Sequence, residues 1–542
     1  MTILRALGLG LALTMAACAP DAAETSPPGS DATGSHADAA SVDAATGQRP
    51  DADPGEGPLE LRYTEHLGQL TGTARNPLLP VGMSGTDLGV AFARDGLVAI
   101  MFGDAWMDNR DSMAITAAAF PDDGHLPKLT WLSGDNGQFI PFAVPEIDLG
   151  AFNVPVEAVP AGDLTYYFFS TGYDFSPDVG RHSHSVLAHG TGLTMSPLVL
   201  DHKVASDRFI NVSVVVDDGT AWIFGSGAYR KSPVYLARVP LSQIADRDAW
   251  RYWPAFSAGE QTAEPIMPIP CVGELSVRRH PALGIWLMAY NCGEPRGIHL
   301  RTAPAPEGPW SEPLLVYTPE MGYEHFIHAN ESVVGHDDGL SDRGRENEWG
   351  GEYGPYLVPE WFSSPAPGVF AIVYLMSSWN PYQAHLMRTY LARPGVSWAP
   401  PDAGAGLPPA TLTNGDFGDG CTAGWEHTGA TFVCFTDDDG LIRLTTSTPG
   451  QGDAATGTLS QKFAVDDQTH ELGFFIHGGD AEVDLVDGDE VIRRSFGRRD
   501  NETETEVRWN LEDLRGHTLT VIIDDHLTGP WGFVGARGFE LR

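Results

Sequence analysis

Basic residues are scarce in this chain of 542 residues. It has 33 Lys and Arg against 72 Asp and Glu, so its formal net charge is −39. The phosphates of nucleic acids and of acidic membrane surfaces repel a chain with this charge. We therefore exclude nucleic acid as a partner and expect an exported protein that acts on a neutral or cationic ligand.

The sequence also lacks the short motifs of several common enzyme classes. It has no G-x-S-x-G nucleophile elbow, no phosphate-binding loop and no H-E-x-x-H helix. It likewise has no pair of cysteines two residues apart, the spacing typical of metal sites. The absence of these motifs leaves no sequence signal for a metal site or a cofactor.

The one apolar stretch that resembles a targeting segment lies at the N-terminus. Arg5 is followed by the apolar residues 6–17 and by Met15-Ala-Ala-Cys18, which resembles a bacterial lipoprotein signal with Cys18 as the lipidated residue. The run is too short to span a membrane as a helix, and an ordinary cleaved signal peptide is the alternative. Residues 1–18 are thus predicted to be a lipoprotein-type signal, and residues 19–57 a disordered acidic tether. We expect an outer-membrane or cell-surface lipoprotein, retained there or released.

The other four cysteines fall into two local pairs. Cys271 and Cys292 flank a predicted hairpin, and Cys421 and Cys434 lie close together in the sequence. An exported protein can hold disulfides, and positions across a hairpin bring Cα atoms within bridging range. We predict these two disulfides, with metal ligation as the alternative.

A loose repeat extends from about residue 60 to residue 395. Each unit has a first strand led by a polar residue, a turn, a strongly apolar second strand and a third strand. The second strands are Leu97–Phe102, Leu164–Phe169, Ala221–Phe224, Ile285–Ala289 and Phe370–Met376. Five such units, almost without amphipathic helix, predict an all-β fold with a five-bladed β-propeller over residues 58–400. A large irregular sandwich is the alternative.

A Pro-, Ala- and Gly-rich break at residues 400–410 follows the repeat. Beyond this break, residues 411–542 again alternate between apolar and polar positions as strands do. Their number fits one domain of ordinary size. We predict a jelly-roll-like β-sandwich that serves as an accessory module.

The hairpin of the first unit sets two acids against each other. Asp95-Gly96 is the strongest two-residue turn signal, and the register that it implies places Asp87 opposite Asp104. Two carboxylates at facing positions have Cβ atoms about 4.5–5.5 Å apart, and ionisation of one raises the pKa of the other. The same rule places Asn211 opposite Ser226 in the third unit. We predict Asp87 and Asp104 as a catalytic pair, although a bulge in the hairpin would separate them.

Other polar and aromatic residues lie at the strand ends of the same predicted face. The candidate substrate-binding residues are Trp106, Asn211, Glu274, Arg301, His325, Trp379 and Tyr382. Glu274 is equally a candidate for a third catalytic carboxylate. A carboxylate pair beside aromatic rings suits glycoside hydrolysis, in which one acid protonates the leaving oxygen and the other activates water or attacks the anomeric carbon. A non-catalytic glycan-binding lipoprotein is the alternative, and sialidase-like action would need an arginine cluster that the sequence does not show.

Several motifs resemble those of a large bacterial and actinobacterial group over residues 65–395. They are Thr86-Asp87-Leu-Gly89, Phe102-Gly-Asp104-Ala-Trp106, Gly273-Glu-Leu-Ser276, Glu307-Gly-Pro-Trp310-Ser, Tyr323-Glu-His-Phe-Ile-His328 and Ser377-Ser-Trp379-Asn-Pro-Tyr382. The group, long described as a domain of unknown function, now includes endo-D-arabinanases.

The resemblance implies a propeller that cleaves internal α-D-arabinofuranosyl linkages of D-arabinan, the polymer of mycobacterial arabinogalactan and lipoarabinomannan. It assigns the catalytic acids to Asp87 and Asp104 and needs no cofactor. Not every member need share this substrate, so another furanoside or a sialoside is an alternative. The C-terminal module, with Asn414-Gly-Asp-Phe417 and Trp509-Asn-Leu511, resembles the galactose-binding-like sandwiches appended to glycosidases. We expect a monomer that contacts the membrane only through its lipid anchor.

Overall fold

Antiparallel β-sheet makes up nearly all of the regular structure in the computed structural model of the chain. The structure describes residues 58–72, 79–106, 109–121, 126–150, 152–174, 182–205, 207–340, 344–400, 406–429, 432–447, 454 and 456–542. The predicted signal, Cys18 and the predicted tether lie outside these residues. The described residues contain one short α-helix, α1 (Glu331–Val334), and no helix long and apolar enough to cross a membrane. The all-β prediction is confirmed.

Five of the seven sheets in the described residues belong to the first part of the chain. Their strands, in chain order, are β1 (Glu60–Gln69), β2 (Asp87–Arg94), β3 (Leu97–Ala105), β4 (Arg110–Ala117), β5 (Thr130–Trp131), β6 (Val154–Ala161), β7 (Leu164–Tyr173), β8 (His182–Thr191), β9 (Val199–Ala205), β10 (Asn211–Asp217), β11 (Thr220–Ser226), β12 (Ser232–Pro240), β13 (Arg251–Tyr252), β14 (Pro265–Val272), β15 (Leu275–Arg279), β16 (Trp286–Gly293), β17 (Arg296–Ala303), β18 (Leu314–Tyr317), β19 (Glu352–Leu357), β20 (Ser363–Ala366), β21 (Val369–Ser378) and β22 (Gln383–Ala392). Short 3-10 helices lie at Leu241–Gln243, Arg247–Ala249, Glu260–Thr262, Pro319–Met321 and Pro359–Trp361.

The sheets follow one another along the chain, with one exception. The first four have the orders β2-β3-β4-β5, β6-β7-β8-β9, β10-β11-β12-β13 with β14 also on β12, and β15-β16-β17-β18. The fifth has the order β1-β22-β21-β19, with β20 on β21, so the N-terminal strand pairs with the last strand of this region. This non-local pair joins the beginning of the region to its end, which the repeat pattern did not predict.

One edge strand of each of the five sheets packs against the next in a cycle, and we call these five strands the inner strands. β2 contacts β6, β6 contacts β10, β10 contacts β15, β15 contacts β19, and β19 contacts β2. A buried ion pair lies among them: Arg278 on β15 donates to both carboxylate oxygens of Glu157 on β6, at 2.8 and 3.1 Å. Arg278 also donates to the carbonyl of Ala91 on β2 and to the hydroxyl of Ser213 on β10. One guanidinium therefore links four of the five sheets.

The last part of the chain forms two five-stranded sheets. Their strands are β23 (Glu426–His427), β24 (Val433–Thr436), β25 (Ile442–Thr445), β26 (Gly457–Ala464), β27 (Glu471–Gly478), β28 (Glu482–Asp487), β29 (Glu490–Phe496), β30 (Asp500–Asn510), β31 (Thr518–Asp525) and β32 (Val534–Leu541), with a 3-10 helix at Glu512–Leu514. The sheet orders are β23-β26-β31-β28-β29 and β24-β25-β32-β27-β30. Alternate apolar residues of both sheets meet in one core that includes Leu459, Ile476 and Trp509.

The disulfides are the predicted pairs. Cys271 and Cys292 have Cα atoms 5.3 Å apart, and Cys421 and Cys434 have Cα atoms 5.5 Å apart. Disulfides persist in oxidising compartments. They are consistent with an extracellular protein.

Candidate active site

The hairpin of the first sheet has the predicted turn but not the predicted pairing at its open end. The register set by Asp95-Gly96 shifts by one residue at Gly89, where the backbone has a φ of 115°. Asp87 therefore pairs with Gly103, and the prediction that Asp87 faces Asp104 is wrong. The reason is a β-bulge, which places two residues of one strand against one residue of the other.

The bulge leaves the two acids as neighbours. A Cβ atom on Gly103 would lie only 2.9 Å from Oδ1 of Asp87, so the carboxylate of Asp87 packs directly over this glycine, next to Asp104. Asp104 itself has a φ of 39°, an uncommon conformation for a residue with a side chain. Both aspartates are buried, at 3% and 7% exposure.

Asp87 lies among groups that act on its pKa in opposite directions. Burial raises this pKa, the hydroxyls of Tyr353 and Tyr382 lower it, and the charge of Glu274 raises it, with a result of about 7. Oη of Tyr353 donates to Oδ2 of Asp87 at 2.7 Å. Asp87 can therefore gain and lose a proton near neutral pH, as a catalytic base does.

Burial and neighbouring acids also act on the pKa of Asp104. Burial, followed by the charges of Asp87 and Asp111, raises the pKa of Asp104 well above its usual value. Its Oδ1 atom is buried and meets no hydrogen-bond partner among the described residues. Since buried polar atoms are nearly always paired, such an atom calls for an explanation, and catalysis is one.

Asp111 is a third buried carboxylate, which sequence reasoning missed. Its Oδ1 accepts from the backbone N–H of Asp104 at 3.2 Å, and its Oδ2 accepts from the side-chain amide of Asn153. Burial raises the pKa of Asp111 well above its usual value. The signal that could have found it is its place near the start of the third strand of the first unit, just before an apolar run.

Glu274 lies near this group, as predicted. Its charge raises the pKa of Asp87, and its Oε2 accepts a 3.1 Å hydrogen bond from the hydroxyl of Tyr229. No local pattern marked Tyr353, because its contact with Asp87 joins residues 266 positions apart in the chain.

An aromatic cluster lies beside Asp104. Trp106 and Trp379 stack with ring centroids 6.4 Å apart and planes inclined by 20°, and Tyr382 meets both rings edge-on. Oη of Tyr382 donates to the carbonyl oxygen of Asp104 at 3.1 Å. The guanidinium of Arg345, which sequence reasoning missed, lies 4.8 Å from the Trp106 ring centroid and 4.9 Å from that of Trp379. The structure thus brings three of the predicted aromatic residues together next to one predicted acid.

Asn211 begins β10, one of the five strands that pack in a cycle. It pairs with Ser226, as predicted, and its side-chain oxygen accepts a 3.0 Å hydrogen bond from Ser170 of the neighbouring sheet. The residue is buried.

Arg301 and His325 make their contacts elsewhere. Arg301 is buried and donates to the hydroxyl of Tyr290 and to the carbonyl oxygen of Ser311. His325 contacts the C-terminal sheets, with Asn510 at 3.3 Å and Asp513 at 3.8 Å. In the described part of the chain, no group of three or more His, Cys, Asp or Glu is arranged to hold a metal ion.

A family model matches part of the chain. Residues 175–388 match a domain of unknown function, DUF4185. Over these residues the match confirms the expected resemblance to a domain of unknown function. Asp87 and Asp104 precede the matched residues. The chain is also 25% identical over 297 residues to Notoamide biosynthesis cluster protein J' of Aspergillus versicolor, covering 46% of this chain and 76% of the relative.

Solved structures resemble the chain at low sequence identity. One is a putative hydrolase from Bacteroides ovatus, with a TM-score of 0.39, 14% identity and coverage of 58% of this chain and 88% of that one. Another is an exo-beta-1,3-galactanase from Phanerochaete chrysosporium, with a TM-score of 0.39, 11% identity and coverage of 88% and 100%. An alpha-L-arabinofuranosidase from Podospora anserina gives a TM-score of 0.35, 12% identity and coverage of 62% and 98%. Arguments about activity therefore depend on the residues of the site.

Proposed function

We propose that this protein is a glycoside hydrolase that uses Asp104 as general acid and Asp87 as general base or nucleophile. One observation carries the proposal: two neighbouring buried aspartates, both with raised pKa values, lie beside stacked tryptophans. Glycosidases need one carboxyl group that keeps its proton and another that loses it.

The surroundings of each aspartate support its role. Asp87 accepts a hydrogen bond from Tyr353, which favours the ionised form that a base or nucleophile needs. Asp104 is buried beside two acidic neighbours, Asp87 and Asp111, whose charges favour its protonated form. In the proposed reaction Asp104 gives its proton to the leaving glycosidic oxygen. Asp87 either attacks the anomeric carbon or takes the proton of an attacking water.

The stacked pair Trp106 and Trp379 supports a sugar-ring subsite next to Asp104. Aromatic rings offer large apolar faces with little conformational entropy to lose. Glu274, with its hydroxyl partner Tyr229, supplies a carboxylate that can accept hydrogen bonds from sugar hydroxyls on the Asp87 side. Asn211 extends the polar surface of the inner strands.

We further propose D-arabinan as the substrate, cleaved at internal α-D-arabinofuranosyl linkages. The motif resemblance around Asp87, Asp104 and Glu274 supports this choice, and a neutral polymer suits a chain of net charge −39. The cyclic packing of the inner strands β2, β6, β10, β15 and β19 supports a five-bladed propeller over residues 58–400. The common core of the last two sheets supports residues 411–542 as an accessory sandwich. We also propose that a lipid on Cys18 anchors the protein to the membrane. The two disulfides suit such an exported protein.

The test is hydrolysis of purified arabinogalactan by the full-length protein and by Asp87→Asn and Asp104→Asn variants. We expect a ladder of arabino-oligosaccharides from the unaltered protein and release slowed about 10²–10⁴-fold in the variants. Binding of intact polymer without cleavage would instead indicate the glycan-binding alternative. Cleavage that both variants retain would refute the assignment of the catalytic residues.

A further inference from the structure

We propose that the C-terminal sheets position the aromatic pair Trp106 and Trp379 through an intervening segment. The C-terminal sheets would then contribute to the substrate site without touching the substrate. We call this segment, residues 328–340 and 344–350, the strap. The proposal rests on the proposed function only where it concerns substrate affinity. The contacts run in three steps, from the sheets to the strap, along the strap, and from the strap to the tryptophans.

The first step is an ion-pair cluster between the C-terminal sheets and the strap. Nη1 of Arg498 donates to Oε2 of Glu331 at 2.6 Å, and Nη2 donates to Oδ2 of Asp337 at 2.8 Å. Both carboxylates are largely buried, at 11% and 5% side-chain exposure. Removing the guanidinium would leave two buried acids unpaired, which is strongly unfavourable.

Backbone pairing reinforces this cluster. The N–H of Asp337 donates to the carbonyl oxygen of Glu506 at 3.0 Å, and the N–H of Arg508 donates back to the carbonyl oxygen of Asp337 at 2.9 Å. The strap therefore adds a short parallel bridge to the edge strand β30. In addition, the N–H of Arg494 donates to the carbonyl oxygen of Gly339.

The second step joins the two stretches of the strap. His328 is fully buried, with Nδ1 2.8 Å from Oδ1 of Asp338 and Nε2 2.9 Å from the carbonyl oxygen of Glu346. Both ring nitrogens face acceptors, which favours a ring that carries both protons. The N–H of Glu331 also donates to the carbonyl oxygen of Glu346 at 2.9 Å. A displacement of Glu331 or Asp338 is thus passed to residue 346.

The third step reaches the candidate active site. Arg345 directly precedes Glu346, and its guanidinium lies within 5 Å of both tryptophan rings. Nη2 of Arg345 donates to the carbonyl oxygen of Trp379 at 2.9 Å, and the side-chain amide of Asn380 donates to the carbonyl oxygen of Arg345 at 3.1 Å. Arg345 is therefore a positioning residue for Trp106 and Trp379, and Arg498 acts on it through the strap.

The chain offers a matched control for Arg498. Its neighbour Arg499 has the same backbone φ of 59°. Arg499 pairs at 2.8 Å with Asp480, which lies between β27 and β28 and outside the strap, and the side chain of Arg499 is 61% exposed. Arg498→Ala and Arg499→Ala remove the same group from adjacent positions, but only the first removes a contact with the strap.

The first experiment is hydrogen exchange of the full-length protein and needs no activity. We expect Arg498→Ala to speed exchange of the strap amides, including the N–H of Gly350, while Arg499→Ala leaves them unchanged. Arg498→Lys, which keeps the charge, should lie between the two. Unchanged exchange at residues 344–350 in a folded Arg498→Ala variant would overturn the proposal, and so would equal effects of the two alanine variants.

The second experiment measures kinetics on arabinan. We expect Arg498→Ala to raise KM about 2- to 30-fold, the range for mutations along a coupling network, with kcat changed much less. Arg345→Ala should also raise KM, and the double variant should be no worse than Arg345→Ala alone, because both act on the same pair of rings. Additive effects would contradict a path through Arg345. Inactivity of the unaltered protein would refute the proposed function, while the exchange result would still decide on the strap.

Discussion

The hydroxyl of Tyr353 on β19 of the fifth sheet donates a 2.7 Å hydrogen bond to Oδ2 of Asp87 on β2 of the first sheet. This bond opposes burial, which is the largest influence on the pKa of Asp87. Tyr353 therefore lowers the pH at which Asp87 becomes ionised. In the proposed mechanism it also lowers the acidic limit of the active pH range.

We predict that the activity falls as the pH drops below about 7, where Asp87 gains a proton. Tyr353→Phe removes a hydrogen bond to the ionised form, so the pKa of Asp87 rises and the acidic limb moves to higher pH. A hydrogen bond to a charged group is worth about 1.5–3 kcal/mol, which corresponds to roughly 1–2 pH units. The measurement is the pH dependence of kcat/KM. Tyr374→Phe, in the core of the same sheet, is the control and should leave the acidic limb in place.

An unmoved acidic limb in Tyr353→Phe would mean that Asp87 is not the group that titrates.

The buried pair Arg278 and Glu157 should be a main determinant of stability. Breaking such a pair by removal of one partner costs about 3–5 kcal/mol, so we expect Arg278→Ala to lower the free energy of unfolding by that amount in urea titrations. Its neighbour Arg279 forms an exposed pair with Asp217 at 3.1 Å, and exposed pairs contribute about 0–1 kcal/mol. Similar losses for Arg278→Ala and Arg279→Ala would contradict a special role of the buried pair.

The stacked tryptophans should contribute to substrate affinity more than to the chemical step. We expect Trp106→Ala and Trp379→Ala each to raise KM for arabinan about 10-fold, equivalent to about 1.4 kcal/mol of binding free energy, with a smaller change in kcat. Phe435→Ala, which removes an exposed aromatic ring from the C-terminal sheets, is the control. An effect on kcat alone would place the two rings at the reacting bond instead of in a binding subsite.

The sequence predicts those parts of the fold that are determined locally. The turn at Asp218-Gly219 has two residues, and it sets the pairing of Asn211 with Ser226 correctly because no bulge intervenes. In the first hairpin, a Cβ atom on Gly89 would lie 2.3 Å from Leu375 of another sheet. The bulge therefore reflects a contact distant in sequence, which no local register rule includes.

The same distinction explains the site. Trp106 and Asp104 lie in one short motif, so their proximity could be predicted, whereas Tyr353 and Arg345 reach the site from the other end of the repeat region. Arg301 was predicted to bind substrate because it is polar and close to a strand end. Strand position alone could not reveal that its guanidinium is occupied by Tyr290 of the neighbouring strand and by Ser311 of the loop between β17 and β18.

The most direct test of the account is the set of products released from purified D-arabinan by the unaltered protein, Asp87→Asn and Asp104→Asn at matched concentrations. The account predicts a ladder of oligosaccharides from the unaltered protein. It predicts a decrease in kcat of about 10²–10⁴-fold in each variant, the contribution of general acid–base catalysis. Intact polymer after incubation with the unaltered protein, or undiminished cleavage by both variants, would contradict it.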